Sequence, residues 1–150
     1  MEQLSSAVDR PRSVGHWIVL VASLAAPLGL FAARALLTPE PQGFGTHEQL
    51  GLPACQSLNW FGLPCPGCGV TTSVAWFAHA QVLESFRTQP LGFLIGVLAL
   101  LSAPLALMQV ARGRDLGDGL GRWNRREVWL ALAAYALVAW AYKAFVMLAD

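Results

Sequence analysis

Apolar residues in this chain gather into three long blocks instead of alternating with polar ones. The blocks run from Trp17 to Leu37, from Pro90 to Ala111 and from Val128 to Leu148. Each reaches the roughly 20 residues that an α-helix needs to cross a bilayer. The second block carries no charge. The first is interrupted only by Arg34 and the third only by Lys143. Both cations stand near helix ends, where long side chains are predicted to snorkel toward headgroups. Pro27 and Pro104 fall mid-block, where membrane helices accommodate proline as a kink.

The segment between the first two blocks has a different texture. Residues 38–66, TPEPQGFGTHEQLGLPACQSLNWFGLPCP, are punctuated by Pro39, Pro41, Gly43 and Gly45, so they are expected to be non-helical. Leu50, Leu52, Leu58, Trp60, Phe61 and Leu63 make them too apolar for a free linker. They are expected to lie on the membrane surface, with Trp60 at headgroup depth. Residues 70–86, VTTSVAWFAHAQVLESF, predict one helix of four or five turns. It lacks an uninterrupted apolar run of 18 residues and reads as interfacial. The expected fold is therefore all-α integral membrane: three transmembrane helices plus an interfacial helix following a Cys-containing loop. Residues 1–150 are read as a single membrane domain.

Composition sharpens this picture. Hydrophobic residues make up 55% of the chain and charged ones 13%, against roughly 25% charged in soluble domains. The partner this implies is the lipid bilayer. A net charge of +1 leaves no footprint for nucleic acid. Arg10 and Arg12 precede the first block, Arg87 stands alone before the second, and Arg112, Arg114, Arg122, Arg125 and Arg126 crowd the loop before the third. The positive-inside rule then predicts a cytoplasmic N-terminus and arginine loop, with the Cys loop and C-terminus outside. Ala33-Arg34-Ala35 has the outline of a cleavage site, but the apolar run is longer than a signal-peptide core. The first helix is expected to be retained.

Candidate chemistry concentrates in LPCPGCGVTT, residues 63–72, with Cys55 ten positions before Cys65. Pro66-Gly67 between two cysteines predicts a type II turn, with positive φ at Gly67, that aims both sulfurs at one point. Gly69 provides a place for close backbone approach. Three chemistries use this arrangement. Cys55, Cys65 and Cys68 as thiolates leave a fourth tetrahedral position on a metal. Zinc is the default, with Cu(I) the alternative because thiolates are soft ligands. His47 is the preferred fourth ligand, since it can fold back from the irregular segment. His79 is less favoured, lying about 16 Å from Cys68 along a straight helix. His16, before the first span, reads as interfacial. The second chemistry is thiol–disulfide exchange at Cys65 and Cys68, because a helix N-terminus favours thiolate. The third is a structural role in an interaction subunit, with an unknown protein partner or a second copy of the chain. Thr71 and Thr72 lie one turn beyond Cys68, with hydroxyls directed at a thiolate or a helix carbonyl. No Ser/His/Asp set, phosphate loop or carboxylate pair can be assembled, so an enzyme is not the favoured reading.

Residues 54–96 resemble the DUF2752 family of small bacterial membrane proteins. That pattern has a first cysteine, then C-P-x-C-G-h-T-R, a His-Gly pair in the following helix, and Asn-Pro opening the next span. Cys55, Cys65, Pro66, Cys68, Gly69 and Thr71 match, His79 falls at the histidine position, and Gln89-Pro90 stands at Asn-Pro. Thr72 replaces the arginine and Ala80 the glycine. The resemblance implies a multi-pass protein of the bacterial inner (cytoplasmic) membrane and a CPxCG site, and it supplies no reaction.

Overall fold

The computed structural model describes residues 12–119 and 125–149. Arg10 and Arg122, two of the charges used to orient the chain, lie outside the described residues. Among the described residues six α-helices follow in order: α1 (Val14–Leu36), α2 (Gln56–Phe61), α3 (Val70–Ala78), α4 (Val82–Thr88), α5 (Pro90–Ala111) and α6 (Arg126–Ala149). Two short 3-10 turns, Thr46–Leu50 and Leu116–Gly119, lie among the same residues. Helices α1, α5 and α6 are long and apolar enough to cross a membrane, matching the three blocks to within three residues at each end. Only 6–17% of their most apolar windows is buried within the chain. Their remaining surface needs an apolar surrounding, as lipid provides.

Local chemistry sets the helix ends. Ser13 caps α1, its Oγ accepting from His16 N–H at 3.1 Å. Pro90 opens α5 at the one position where its missing N–H costs nothing. Both α1 and α5 continue through Pro27 and Pro104.

Residues 70–86 form two helices, not the single one expected. The Ala80 N–H bonds Phe77 O at 2.9 Å and the Gln81 N–H bonds Trp76 O at 2.9 Å. These are the paired bonds of a Schellman terminus, with Ala80 as its left-handed residue at φ 62°. Alanine tolerates that conformation poorly, and it stands where the DUF2752 pattern has glycine. The irregular segment also holds more helix than expected, in the 3-10 turn at Thr46–Leu50 and in α2.

The α3–α4 pair packs into the junction of the spans. Gly92 and Gly96 of α5, spaced four apart, are both buried. A Cβ on Gly92 would come within 2.6 Å of Ser73 Cβ, and one on Gly96 within 2.6 Å of the Phe77 ring. Small residues at this spacing let helix backbones approach closely. Ser73 Oγ lies 2.8 Å from Ser85 O and 2.9 Å from Gln89 O, so the close contact is also hydrogen-bonded.

The two span cations both donate to backbone carbonyls, and Lys143 turns inward where snorkelling was expected. Arg34 donates to Ala78 O at 3.3 Å, tying the end of α1 to the end of α3. Lys143 is 3% exposed, and its Nζ donates to Gly43 O at 2.9 Å. His16 is likewise fully buried, with Nδ1 accepting from Leu116 N–H at 3.2 Å beneath the start of the arginine loop.

Ala80→Gly should stabilise the fold by about 1 kcal/mol by relieving the left-handed alanine. Gly92→Ala should lower the unfolding temperature, since the neighbour its Cβ would meet at 2.7 Å is the Val70 carbonyl backbone. Thermal unfolding in detergent, followed by circular dichroism, checks both.

Candidate metal centre

The geometry that brings the cysteines together begins in the backbone. Cys68 N–H donates to Cys65 O at 2.9 Å, which closes the turn over Pro66 and Gly67. The positive φ belongs to Gly69, at 83°, and not to Gly67, so the turn is not type II. The left-handed residue falls two positions later than expected, because Gly69 also serves as the N-cap from which α3 departs. A Cβ on Gly69 would lie 2.7 Å from Gly43 O and 3.2 Å from Lys143 Cε. That position admits no side chain.

Cys55 reaches the same point from another element, as the N-cap of α2. Cys55 Sγ stands 3.2 Å from Cys68 Sγ, Cys65 Sγ stands 3.7 Å from Cys68 Sγ, and all three sulfurs lie within 4.8 Å of one another. All three are free thiols. A tetrahedral ion with Zn–S bonds of about 2.3 Å requires S···S edges of about 3.8 Å. Two separations lie just below that edge and the third stays within 4.8 Å, so the three sulfurs reach three corners of a tetrahedron after shifts of about 1 Å or less.

The thiols are electrostatically unequal. Burial raises Cys55, but the backbone amides of Leu58 and Cys65 and the neighbouring thiols outweigh it and bring the group down to about 7. Burial pushes Cys68 up to about 12, reinforced by the two thiols beside it. Near neutrality Cys55 is the ready thiolate and Cys68 holds its proton until a cation displaces it.

A cavity of about 80 Å³ adjoins Cys55 and Cys68, with His47, Glu48, Asn59 and Phe44 among its walls. It has room for a water-sized ligand. His47 therefore reaches the site's edge but not the sulfur cluster, and its Nε2 donates to Pro53 O at 3.1 Å. His79 lies away from the cluster, its Nε2 donating to Leu37 O at 3.0 Å to join the ends of α1 and α3. Thr72 meets no thiolate. Its Oγ1 accepts from the Thr46 hydroxyl at 2.9 Å, and Thr46 Oγ1 in turn accepts from the Glu40 N–H at 3.1 Å.

Several supporting residues escaped the sequence reading. Trp140 Nε1 donates to Pro64 O at 2.9 Å, pinning the residue before Cys65. Tyr142 hydroxyl donates to Arg87 O at 2.9 Å. Lys143 holds Gly43 against Gly69. The signal for Lys143 was present, since an ionisable residue inside an apolar span marks a functional position more often than an idle one.

A three-span helical protein with a three-thiol cluster at one end of its bundle is thus the class defined. Residues 55–103 match the family model described as protein of unknown function (DUF2752), the family that the CPGCG motif resembles. The match covers about a third of the chain, from Cys55 through most of α5. No curated protein and no solved structure matches the chain significantly.

Cys55 should be the first cysteine alkylated by iodoacetamide at neutral pH. Its rate should climb as pH rises through about 7 and level off above it, because only the thiolate reacts. Cys68 should stay unmodified up to pH 9. Mass spectrometry of the alkylated peptides resolves the three sites.

Proposed function

We propose that the chain is a metal-handling membrane protein whose centre is formed by the thiolates of Cys55, Cys65 and Cys68. The observation that carries this reading is the convergence of three free sulfurs, from two separate elements, at separations that suit one tetrahedral ion. Zinc is the preferred ion, with Cu(I) as the alternative of matching softness. The small cavity beside Cys55 and Cys68 has His47 in its wall, and a fourth donor, from His47 or from outside the chain, would have room there. Structural zinc sites are closed by four protein ligands, whereas an open position serves exchange or reaction. Cavity access therefore supports handling over a purely structural ion. We also assign the Cys segment to the outer face of a bacterial inner membrane and the N-terminus to the cytoplasm, from the lysine and arginine distribution, with the whole chain acting as one membrane unit.

A second reading has its own support. A Cys55 thiolate lowered to about 7 and 3.2 Å from Cys68 Sγ suits disulfide exchange. Two thiols would pass two electrons and two protons to a partner disulfide, leaving Cys65 free.

Purified in detergent under reducing conditions, the protein should bind one zinc per chain. Replacing any one of Cys55, Cys65 or Cys68 by serine should weaken binding at least about a hundredfold. Affinity should rise with pH above neutrality, because Cys68 must release its proton to bind the metal. Below pH 7 the slope should steepen as the Cys55 proton must also leave. Elemental mass spectrometry and competition with a chromophoric chelator give both numbers. Cys65→Ser also separates the readings, since it weakens the metal site but spares a Cys55–Cys68 disulfide.

A further inference from the structure

At the opposite end of the bundle a cavity of about 520 Å³ opens between α1, α5 and the Leu116–Gly119 turn. Its volume falls within the roughly 300–1,000 Å³ of small-molecule sites. Leu98, Leu101, Leu105 and Gln109 line it from α5 at three- or four-residue spacing, so it follows one helix face. Leu98 and Gln109 are separated by about 16 Å along the axis. The cavity is therefore elongated along the spans.

Its walls and its rim differ in chemistry. Among the polar residues of the wall, Ser102 has its Oγ occupied by Ser23 O and Ala99 O, each at 2.8 Å, and aliphatic side chains supply most of the remaining lining. The wall thus offers hydrocarbon to an occupant. Arg114, Asp115 and Asp118 stand at the rim. Asp115 is committed elsewhere: Oδ2 accepts from Ser13 N–H at 2.9 Å, and Oδ1 accepts from the Ser13 hydroxyl at 2.9 Å and Gly117 N–H at 2.7 Å. Arg114 gives one guanidinium nitrogen to Gln109 Oε1 at 3.2 Å and keeps further donors. Asp118 is exposed and has no polar partner among the described residues. The rim therefore presents Arg114 and Asp118 with polar capacity to spare, beside an Asp115 whose oxygens are already bonded, above an apolar shaft.

We propose that this cavity binds one zwitterionic aminophospholipid, with an acyl chain along α5, the phosphate at Arg114 and the ammonium at Asp118. Charge complementarity selects this occupant. An anionic headgroup without an ammonium would meet Asp118 unpaired, and a quaternary ammonium would lack the N–H donors that a carboxylate accepts.

The test is native mass spectrometry of the delipidated full-length protein in detergent, titrated with phosphatidylethanolamine, phosphatidylcholine or phosphatidylglycerol. One phosphatidylethanolamine should bind per chain, about tenfold more tightly than either of the others. Asp118→Asn should erase that preference, and Arg114→Gln should weaken all three lipids. Leu105→Trp, which fills the shaft, should abolish binding. Circular dichroism and monodispersity of Asp118→Asn show that its loss is not one of folding, because its side chain is exposed. Equal binding of all three lipids, indifference to Asp118→Asn, or a lipid-free dimer in place of a lipid-bound monomer would overturn the assignment.

Discussion

The structure turns on a place where no side chain fits. Gly69 adopts a left-handed conformation against Gly43 O, and the end of the Lys143 side chain closes the remaining space. Three parts of the chain meet there: the turn carrying Cys65 and Cys68, the irregular segment that leads to Cys55, and the third span. A buried ammonium in an apolar span is costly unless it is bonded. Its donation to Gly43 O contributes to making that depth tolerable and fixes the loop on the turn. The sulfur cluster is the product of this junction, since neither the turn nor α2 alone brings three thiols together.

The same logic explains how α6 is held. Its apolar surface is mostly exposed, and its polar ties fall at Tyr135, Trp140, Tyr142 and Lys143. Each reaches a backbone carbonyl on the cysteine end of the bundle. Indole, phenol and ammonium groups are amphipathic enough to span hydrocarbon and headgroup depths. Movement of α6 relative to the other spans would act directly on Pro64 and Gly43, the residues flanking the centre. At the other end, Asp115 accepting from Ser13, the N-cap of α1, fastens the start of the arginine loop. Each end of the bundle thus has its own latch.

The spans were legible from sequence because length and apolarity suffice to define them. The cysteine turn was legible because proline and glycine between two cysteines leave few backbone paths. What escaped were features set by tertiary contact. Ala80 carries no helix-stop signal, since alanine is the best helix former, yet packing of α3 and α4 on α5 forces the reversal there. Gly67 and Gly69 look equivalent in sequence, and only the approach of Gly43 O decides which takes positive φ. Lys143 reads as a snorkelling end residue until Gly43 is seen to await it. His47 was placed near the site by its position in the irregular segment, but its commitment to Pro53 O depends on a turn that sequence does not show.

The central claim is that three cysteine sulfurs share one metal ion, and X-ray absorption at the zinc edge of the loaded protein measures this most directly. The account predicts three sulfur neighbours at about 2.3 Å and one lighter nitrogen or oxygen neighbour at about 2.0–2.1 Å. A shell with two sulfurs or fewer would contradict it. So would four sulfurs, which one chain with three cysteines cannot supply.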